Sequence, residues 1–216
     1  IAILAAMLLP ALNSARERAR STLCISKQKQ MGVAMFTYAG DYMDSLPFPD
    51  PNPNNAWFNY PRVGTNSPWG MCYQLGYLGV SAPADFDFKV DHAANTKAVA
   101  PFAQCPSDVT NYGKLFDYCG SYYFIYFNIA GGDNKSGYGA VNVRKYARGG
   151  LRDKPSSVIM HDLANGFGTT YVQNHHGMNN MLSLDGRVKT IPEMAFRANV
   201  NTWNYGPNPF EFMDNF

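Results

Sequence analysis

The stretch IAILAAMLLPAL, residues 1–12, contains no polar side chain, and the charged run NSARERAR, residues 13–20, follows it directly. The two stretches together predict one helix with two unlike halves. Three helical turns of Ile, Leu, Met and Ala on a free end form an apolar patch, and a patch of that size marks an interface. We therefore expect this end to be buried in a membrane, in a partner, or against copies of itself.

The second half of the helix is predicted by apolar residues that follow the charged run at intervals of seven, four, three and four. These residues are Cys24, Met31, Met35, Tyr38 and Tyr42. Such spacing places them on one helical face. The pattern predicts a helix over residues 1–44, about 60 Å long, with an apolar assembly or membrane half at 1–12 and an amphipathic half at 13–44. Pro10 is compatible with it as a kink.

Residues 45–216 are predicted to form a globular, β-rich head. A Pro- and Asn-rich linker opens it at 46–55, and short aromatic or β-branched runs follow at 121–128, 157–162, 169–173 and 181–191. In the last run, Asp185 and Gly186 lie between two apolar-alternating arms, which predicts a hairpin with a type I′ turn. The expected fold class is α+β, with the long N-terminal helix packed on an antiparallel sheet and long loops.

The composition is that of an exported protein. Charged residues make up 16% of the chain and the net charge is +2, so there is no strong nucleic-acid signal. No C-x-x-C spacing occurs, which favours extracytoplasmic disulfides over zinc or thiol redox chemistry. The disulfide candidates are Cys24, Cys72, Cys105 and Cys119. Because Cys24 shares the helical face assigned to the head, it should reach a head cysteine, and three pairings remain open.

The sequence resembles type IV pilins and type II secretion pseudopilins of the subgroup with a downstream His, nine residues, then Asp-Gly. Residues 1–24 resemble the second half of the pilin N-terminal segment, and His175, Asp185 and Gly186 match the downstream motif. The Cys-Pro-Ser sequence at residues 105–107 is a further feature shared with the subgroup. Family members carry about a dozen further residues at the front. With them the apolar run would reach roughly 20 residues, enough for a membrane-stored subunit.

The resemblance implies a structural subunit of an extracellular pilus-like or pseudopilus filament. Its partners would be copies of itself in a helical homopolymer and, before polymerisation, the inner-membrane assembly machinery. The subunit would then lie in the inner membrane until it joins a filament at the cell surface. The implied assembly residues are Ile1, Ile3, Leu4, Met7, Leu8, Leu9, Pro10 and Leu12. Two alternatives remain open: a membrane-tethered monomeric ligand-binding protein, and a minor pseudopilin that primes or tips the filament.

One cluster of residue types is suited to metal binding or acid-base work. Its members are His161, Asp162, His175, His176 and Asp185. A His before a tight Asp-Gly turn can also act as a structural hydrogen bonder, and we interpret the motif of His175, Asp185 and Gly186 in that way. A zinc or calcium site is the alternative, and otherwise no cofactor is expected. The sequence has no nucleophile elbow and no informative carboxylate pair, so we expect no enzyme.

Overall fold

The computed structural model describes residues 2–47, 67–87, 93–114, 120–125, 150–163 and 172–199, together with Met213. In chain order the elements are α1 (Ala2–Asp41), α2 (Pro68–Gln74), α3 (Ala93–Ala103), β1 (Tyr122–Phe124), β2 (Val158–Asp162), β3 (Met178–Ser183), β4 (Val188–Pro192) and α4 (Glu193–Asn199). A long N-terminal helix and an antiparallel sheet make up this part of the chain. The predicted α+β fold is confirmed.

Helix α1 buries the face that its sequence period predicts. Cys24, Met31 and Met35 are completely buried and Tyr38 nearly so. Tyr42 is the exception, because it lies just beyond the end of the helix and is 43% exposed, with its ring stacked on Tyr38 at 4.1 Å between centroids. The helix and the sheet approach closely at Gly32. A Cβ added there would lie 3.3 Å from the Leu182 side chain of β3.

The C-terminal end of α1 is fixed by a turn into the head. The helix ends at Asp41, and Met43 and Asp44 follow with φ of 51° and 65°, in the left-handed region. The carboxylate of Asp44 accepts a 2.7 Å hydrogen bond from Arg152 Nε, and Leu151 N donates to the Asp44 carbonyl at 2.9 Å. The turn thus holds the helix end against the loop that precedes β2.

The N-terminal end of α1 extends away from the head. Residues 8–16 are exposed and Glu17 is half-buried. In the part of the chain that the structure describes, no helix is both long and apolar enough to cross a membrane. Ile1 lies outside the described residues, and of the next six residues only the helical backbone is described. The assembly residues with described side chains are therefore Leu8, Leu9, Pro10 and Leu12.

Within the described residues, the sheet has four strands in the order β1-β2-β3-β4, all antiparallel. Strand β2 pairs His161 with Met181 of β3, and its ladder shifts register between Val158 and Met160. Strand β2 falls within the predicted run at 157–162, and β3 with β4 forms the predicted hairpin. The predicted run at 121–128 contains β1, and its residues 126–128 lie outside the described residues. In the predicted run at 169–173, residues 169–171 lie outside the described residues and 172–173 form no strand.

Three short helices complete the described part of the head. Ser67 begins α2, since its Oγ accepts a 3.0 Å hydrogen bond from Gly70 N and Pro68 occupies the first helical position. This helix delivers Trp69 into the core, where its ring lies 5.9 Å from both Tyr122 and Phe124 of β1. Helices α2 and α3 pack on each other and on α1, and α4 packs on β3 and β4.

The hairpin turn between β3 and β4 is not the predicted type I′. That turn needs positive φ at both Asp185 and Gly186, but among the described residues other than glycine only Met43 and Asp44 have positive φ. Gly186 alone takes it, at 79°. Ser183 O accepts from Gly186 N, and Ser183 N donates to Arg187 O, both at 2.9 Å. This is the three-residue loop with a glycine bulge.

Gly186 should be intolerant of any side chain. Besides its positive φ, an added Cβ would meet Phe36 Cε2 of α1 at 3.3 Å. We expect Gly186→Ala to lower the free energy of unfolding by about 1 to 3 kcal/mol, measured by denaturant unfolding. Gly76→Ala is the matched control, since Gly76 has φ of 81° with open space around it. Equal losses in the two variants would show that the Phe36 contact contributes nothing.

Candidate functional site

His175 is the centre of a buried polar cluster where α1 meets the sheet. It lies just before β3 and is completely buried. Its Nδ1 lies 2.8 Å from Glu17 Oε1 of α1, and Ser107 Oγ donates to the same oxygen at 2.9 Å. A carboxylate oxygen accepts hydrogen bonds, so this contact is suited to the tautomer of His175 in which Nδ1 is the donor. The second ring nitrogen, Nε2, faces Cys105 Sγ at 3.2 Å.

Cys105 forms a disulfide with Cys24, so the cluster includes a covalent bond between the helix and the head. Cys24 is in the middle of α1, and Cys105 follows α3, 81 residues further on. This pairing is among those that the sequence left open. Cys72 is free and buried, and burial raises the pKa of its thiol. Cys119 lies outside the described residues.

Asp162 lies beside this cluster at the end of β2. Its Oδ1 accepts from Gln28 Nε2 of α1 at 2.9 Å, and its Oδ2 accepts from Asn180 N at 3.0 Å and Asn180 Nδ2 at 2.7 Å. Gln28 also donates to the Asn180 carbonyl at 3.2 Å. His175 Nε2 lies 3.9 Å from Asp162 Oδ2. A buried carboxylate with several donors therefore joins α1, β2 and β3.

Burial shifts the two titratable groups of β2 in opposite senses. Desolvation raises the pKa of Asp162 to about 6, although His175 and the hydrogen bonds from Asn180 and Gln28 act to lower it. Desolvation also lowers the pKa of His161 to about 4, against a hydrogen bond with the Asp162 carbonyl that acts to raise it. Both side chains therefore favour their neutral forms in the folded protein.

These two shifts predict opposing pH dependences of stability. The stability from Asp162 is present below the unfolded pKa of about 4 and is lost as pH rises through 6. The stability from His161 is present above the unfolded pKa of about 6.5 and is lost as pH falls through 4. At about 1.4 kcal/mol per pKa unit, each change is roughly 3 kcal/mol. We expect the two to cancel largely in the wild type between pH 4 and 6.

Two variants should separate these effects. In Asp162→Asn, the free energy of unfolding should rise by about 3 kcal/mol from pH 4 to 6.5, because of the two β2 groups only His161 still titrates. In His161→Gln it should fall by a similar amount from pH 4 to 6. Urea unfolding at each pH measures both profiles. If the free energy of unfolding changed with pH in the same direction in both variants, the opposing effects of Asp162 and His161 would be contradicted.

The structure brings together only part of the cluster that the sequence indicated. Asp162 and His175 lie close to each other, with His175 Nε2 3.9 Å from Asp162 Oδ2, whereas the His161 ring lies against Phe196 of α4 and His176 is exposed. Asp185 lies beyond the far end of β3, and a six-residue strand is about 20 Å long. His175 and Asp185 therefore do not form one site. Asp185 instead accepts hydrogen bonds from Arg187 N at 3.1 Å and Arg187 Nε at 2.6 Å.

Glu17 and Gln28 belong to this site although the sequence did not single them out as site residues. Glu17 lies within the charged run of residues 13–20, where the local pattern indicates no buried partner. Gln28 carried a usable signal, since it lies between Cys24 and Met31 at helical spacing and is a polar residue on an apolar face. A polar side chain there must find a buried partner. That partner is Asp162, 134 residues away.

Comparison with known proteins gives one family. A family model described as "Protein of unknown function (DUF1559)" matches residues 13–173, about three quarters of the chain. The matched segment includes Glu17, Cys24, Cys105 and Asp162 and ends two residues before His175. No curated protein and no solved structure matches the chain.

Proposed function

The chain belongs to the DUF1559 family, which is typical of prepilin-like and pseudopilin-like proteins, and from this premise we propose that it is a structural subunit of a pilus-like or pseudopilus filament. The subunit polymerises through the apolar end of α1. Before polymerisation it is held at the inner membrane by the assembly machinery, and afterwards it lies outside the cell. The role is structural and requires no catalysis.

The observation that carries the proposal is the exposed apolar end of α1. Leu8, Leu9 and Leu12 are 66%, 58% and 56% exposed on a helix whose first half-buried residue, among the described side chains, is Glu17. Fully burying a leucine stabilises by about 1.5 to 3 kcal/mol. Three leucines in every subunit thus favour association strongly, and copies of the same helix offer the matching surface.

The outward face of α1 supports the same proposal further along the helix. Leu23 and Val33 are exposed on it, whereas Cys24 and Ala34 next to them are buried. Small side chains lie between the exposed apolar residues, and they permit close approach of another helix. These are Ala15, Ala19, Thr22 and Ser26. Helices pack at 8 to 10 Å between axes when the side chains at the contact permit it.

Electron microscopy of the purified full chain tests the proposal. After removal of detergent, we expect filaments by negative stain and a sedimenting fraction that contains most of the protein. A chain that stays monomeric under all assembly conditions would overturn the filament proposal and favour a tethered binding protein. Assembly only in the presence of a second pilin would instead indicate a minor, priming subunit.

A further inference from the structure

We propose that Cys24, Cys105 and His175 form a zinc-binding site when the two cysteines are reduced. The two sulfur atoms and a ring nitrogen of His175 all lie within 4.8 Å of one another. All three side chains are completely buried. They come from α1, from the segment after α3 and from the segment before β3, so the fold of the head itself assembles the donor set.

The donor set is chemically suited to zinc. Two thiolates and one imidazole are a known ligand set of Zn²⁺, with a fourth position for water or another ligand. Asp162 Oδ2 lies 3.9 Å from His175 Nε2, and a carboxylate oxygen is also a common zinc ligand. Two thiolates also balance the charge of a divalent ion. In a buried site this balance matters, because an uncompensated charge there is costly.

Each of the three donors has an outer partner that orients it. Glu17 accepts from His175 Nδ1, which leaves the Nε2 lone pair directed at Cys105. A carboxylate on the distal nitrogen of a metal-binding His is the usual arrangement in zinc sites. Tyr122 Oη donates to Cys24 Sγ at 3.4 Å, and Ser107 N donates to Cys105 Sγ at 3.4 Å. Such donors stabilise sulfur in its thiolate form.

Zinc and the disulfide are alternative states of the same pair of sulfurs. A newly made chain has both thiols, and each loses a proton when the ion binds. A disulfide oxidant would then take two electrons from the two thiolates, form the Cys24–Cys105 bond, be reduced to two thiols with protons from solvent, and release Zn²⁺. In this order the ion holds the two sulfurs together before their covalent bond forms.

Metal titration of the full chain in detergent tests the site. The chain is reduced with a phosphine under anaerobic conditions and titrated with Zn²⁺ in a calorimeter and with Co²⁺ in a spectrophotometer. We expect one ion per chain and a near-ultraviolet sulfur-to-cobalt absorption. The oxidised wild-type chain, in which Cys24 and Cys105 are joined and offer no thiolate, should show neither. Absence of both signals in the reduced chain would overturn the proposal.

Three variants locate the binding on these residues. His175→Gln should abolish stoichiometric binding, whereas the matched control His176→Gln, at an exposed position, should bind as the wild type does. Glu17→Gln should weaken affinity about 10- to 100-fold, as expected of a lost outer partner. Circular dichroism establishes that each variant is folded. Equal affinity in His175→Gln and His176→Gln would show that zinc binds elsewhere and would refute the site.

Discussion

Leu8→Asp is expected to abolish assembly and leave the head folded. In the proposed filament, Leu8 is withdrawn from solvent, so the variant would place a carboxylate without a partner among apolar side chains in every subunit. The effective penalty for burying such a charge is several kcal/mol. That penalty, repeated at each addition of a subunit, should reduce the sedimenting fraction to background. Negative-stain microscopy and sedimentation measure the loss.

The control for this variant is an equally exposed apolar residue on the head. Val109→Asp replaces a side chain that is 68% exposed, against 66% for Leu8, by the same charge. We expect Val109→Asp to assemble as the wild type does, because the proposed interface lies on α1. Unfolding midpoints of the two variants should match, since neither residue is in the core. Normal filaments from Leu8→Asp would refute burial of this end.

Replacing both Cys24 and Cys105 by alanine is expected to lower the free energy of unfolding by about 4 to 5 kcal/mol. The disulfide closes a loop with a sequence separation of 81 residues, and in the chain-entropy model a loop of that length contributes stability of this size. Few single substitutions in a domain have so large an effect. Urea unfolding at neutral pH measures the loss, and the wild type in reductant and chelator should show a similar one.

Cys72→Ala distinguishes loss of the bond from loss of buried sulfur. Cys72 is also completely buried, but its thiol is free. Its replacement removes one sulfur atom from the core, and we expect this to lower the free energy of unfolding by about 1 kcal/mol. The double variant should therefore lose several times more free energy of unfolding than the control. If the two lose the same amount, the Cys24–Cys105 bond adds nothing beyond packing.

Local patterns in the sequence were sufficient to predict the long helix and most of the sheet. The period of Cys24, Met31 and Met35 predicted the buried face of α1, and alternating residues around Asp185 and Gly186 predicted the hairpin. Both signals depend on near neighbours in the chain. Helix α2 could have been found in the same way, since Ser67 followed by Pro68 is a helix-start signal. The turn type could not, because Asp-Gly fits more than one hairpin loop.

The site could be predicted only in part, because its contacts join distant segments. His175 was indicated by its motif, but its partner Glu17 is 158 residues away and Cys105 is 70 residues away. No periodicity or spacing specifies such pairs, since they result from the packing of α1 across the sheet. The motif itself was misleading in one respect. It suggested that His175 and Asp185 cooperate, whereas strand β3 separates them.

The position of the disulfide along α1 decides how a pulling force would pass through the molecule. Tension applied at the N-terminal end of α1 travels along the first 22 residues of the helix and then reaches a covalent bond at Cys24. From there it can pass directly to Cys105 in the head. The part of α1 after Cys24 is then relieved of load, and its contacts with the sheet need not resist shear. The head should stay attached under forces that would peel away a helix held by packing alone.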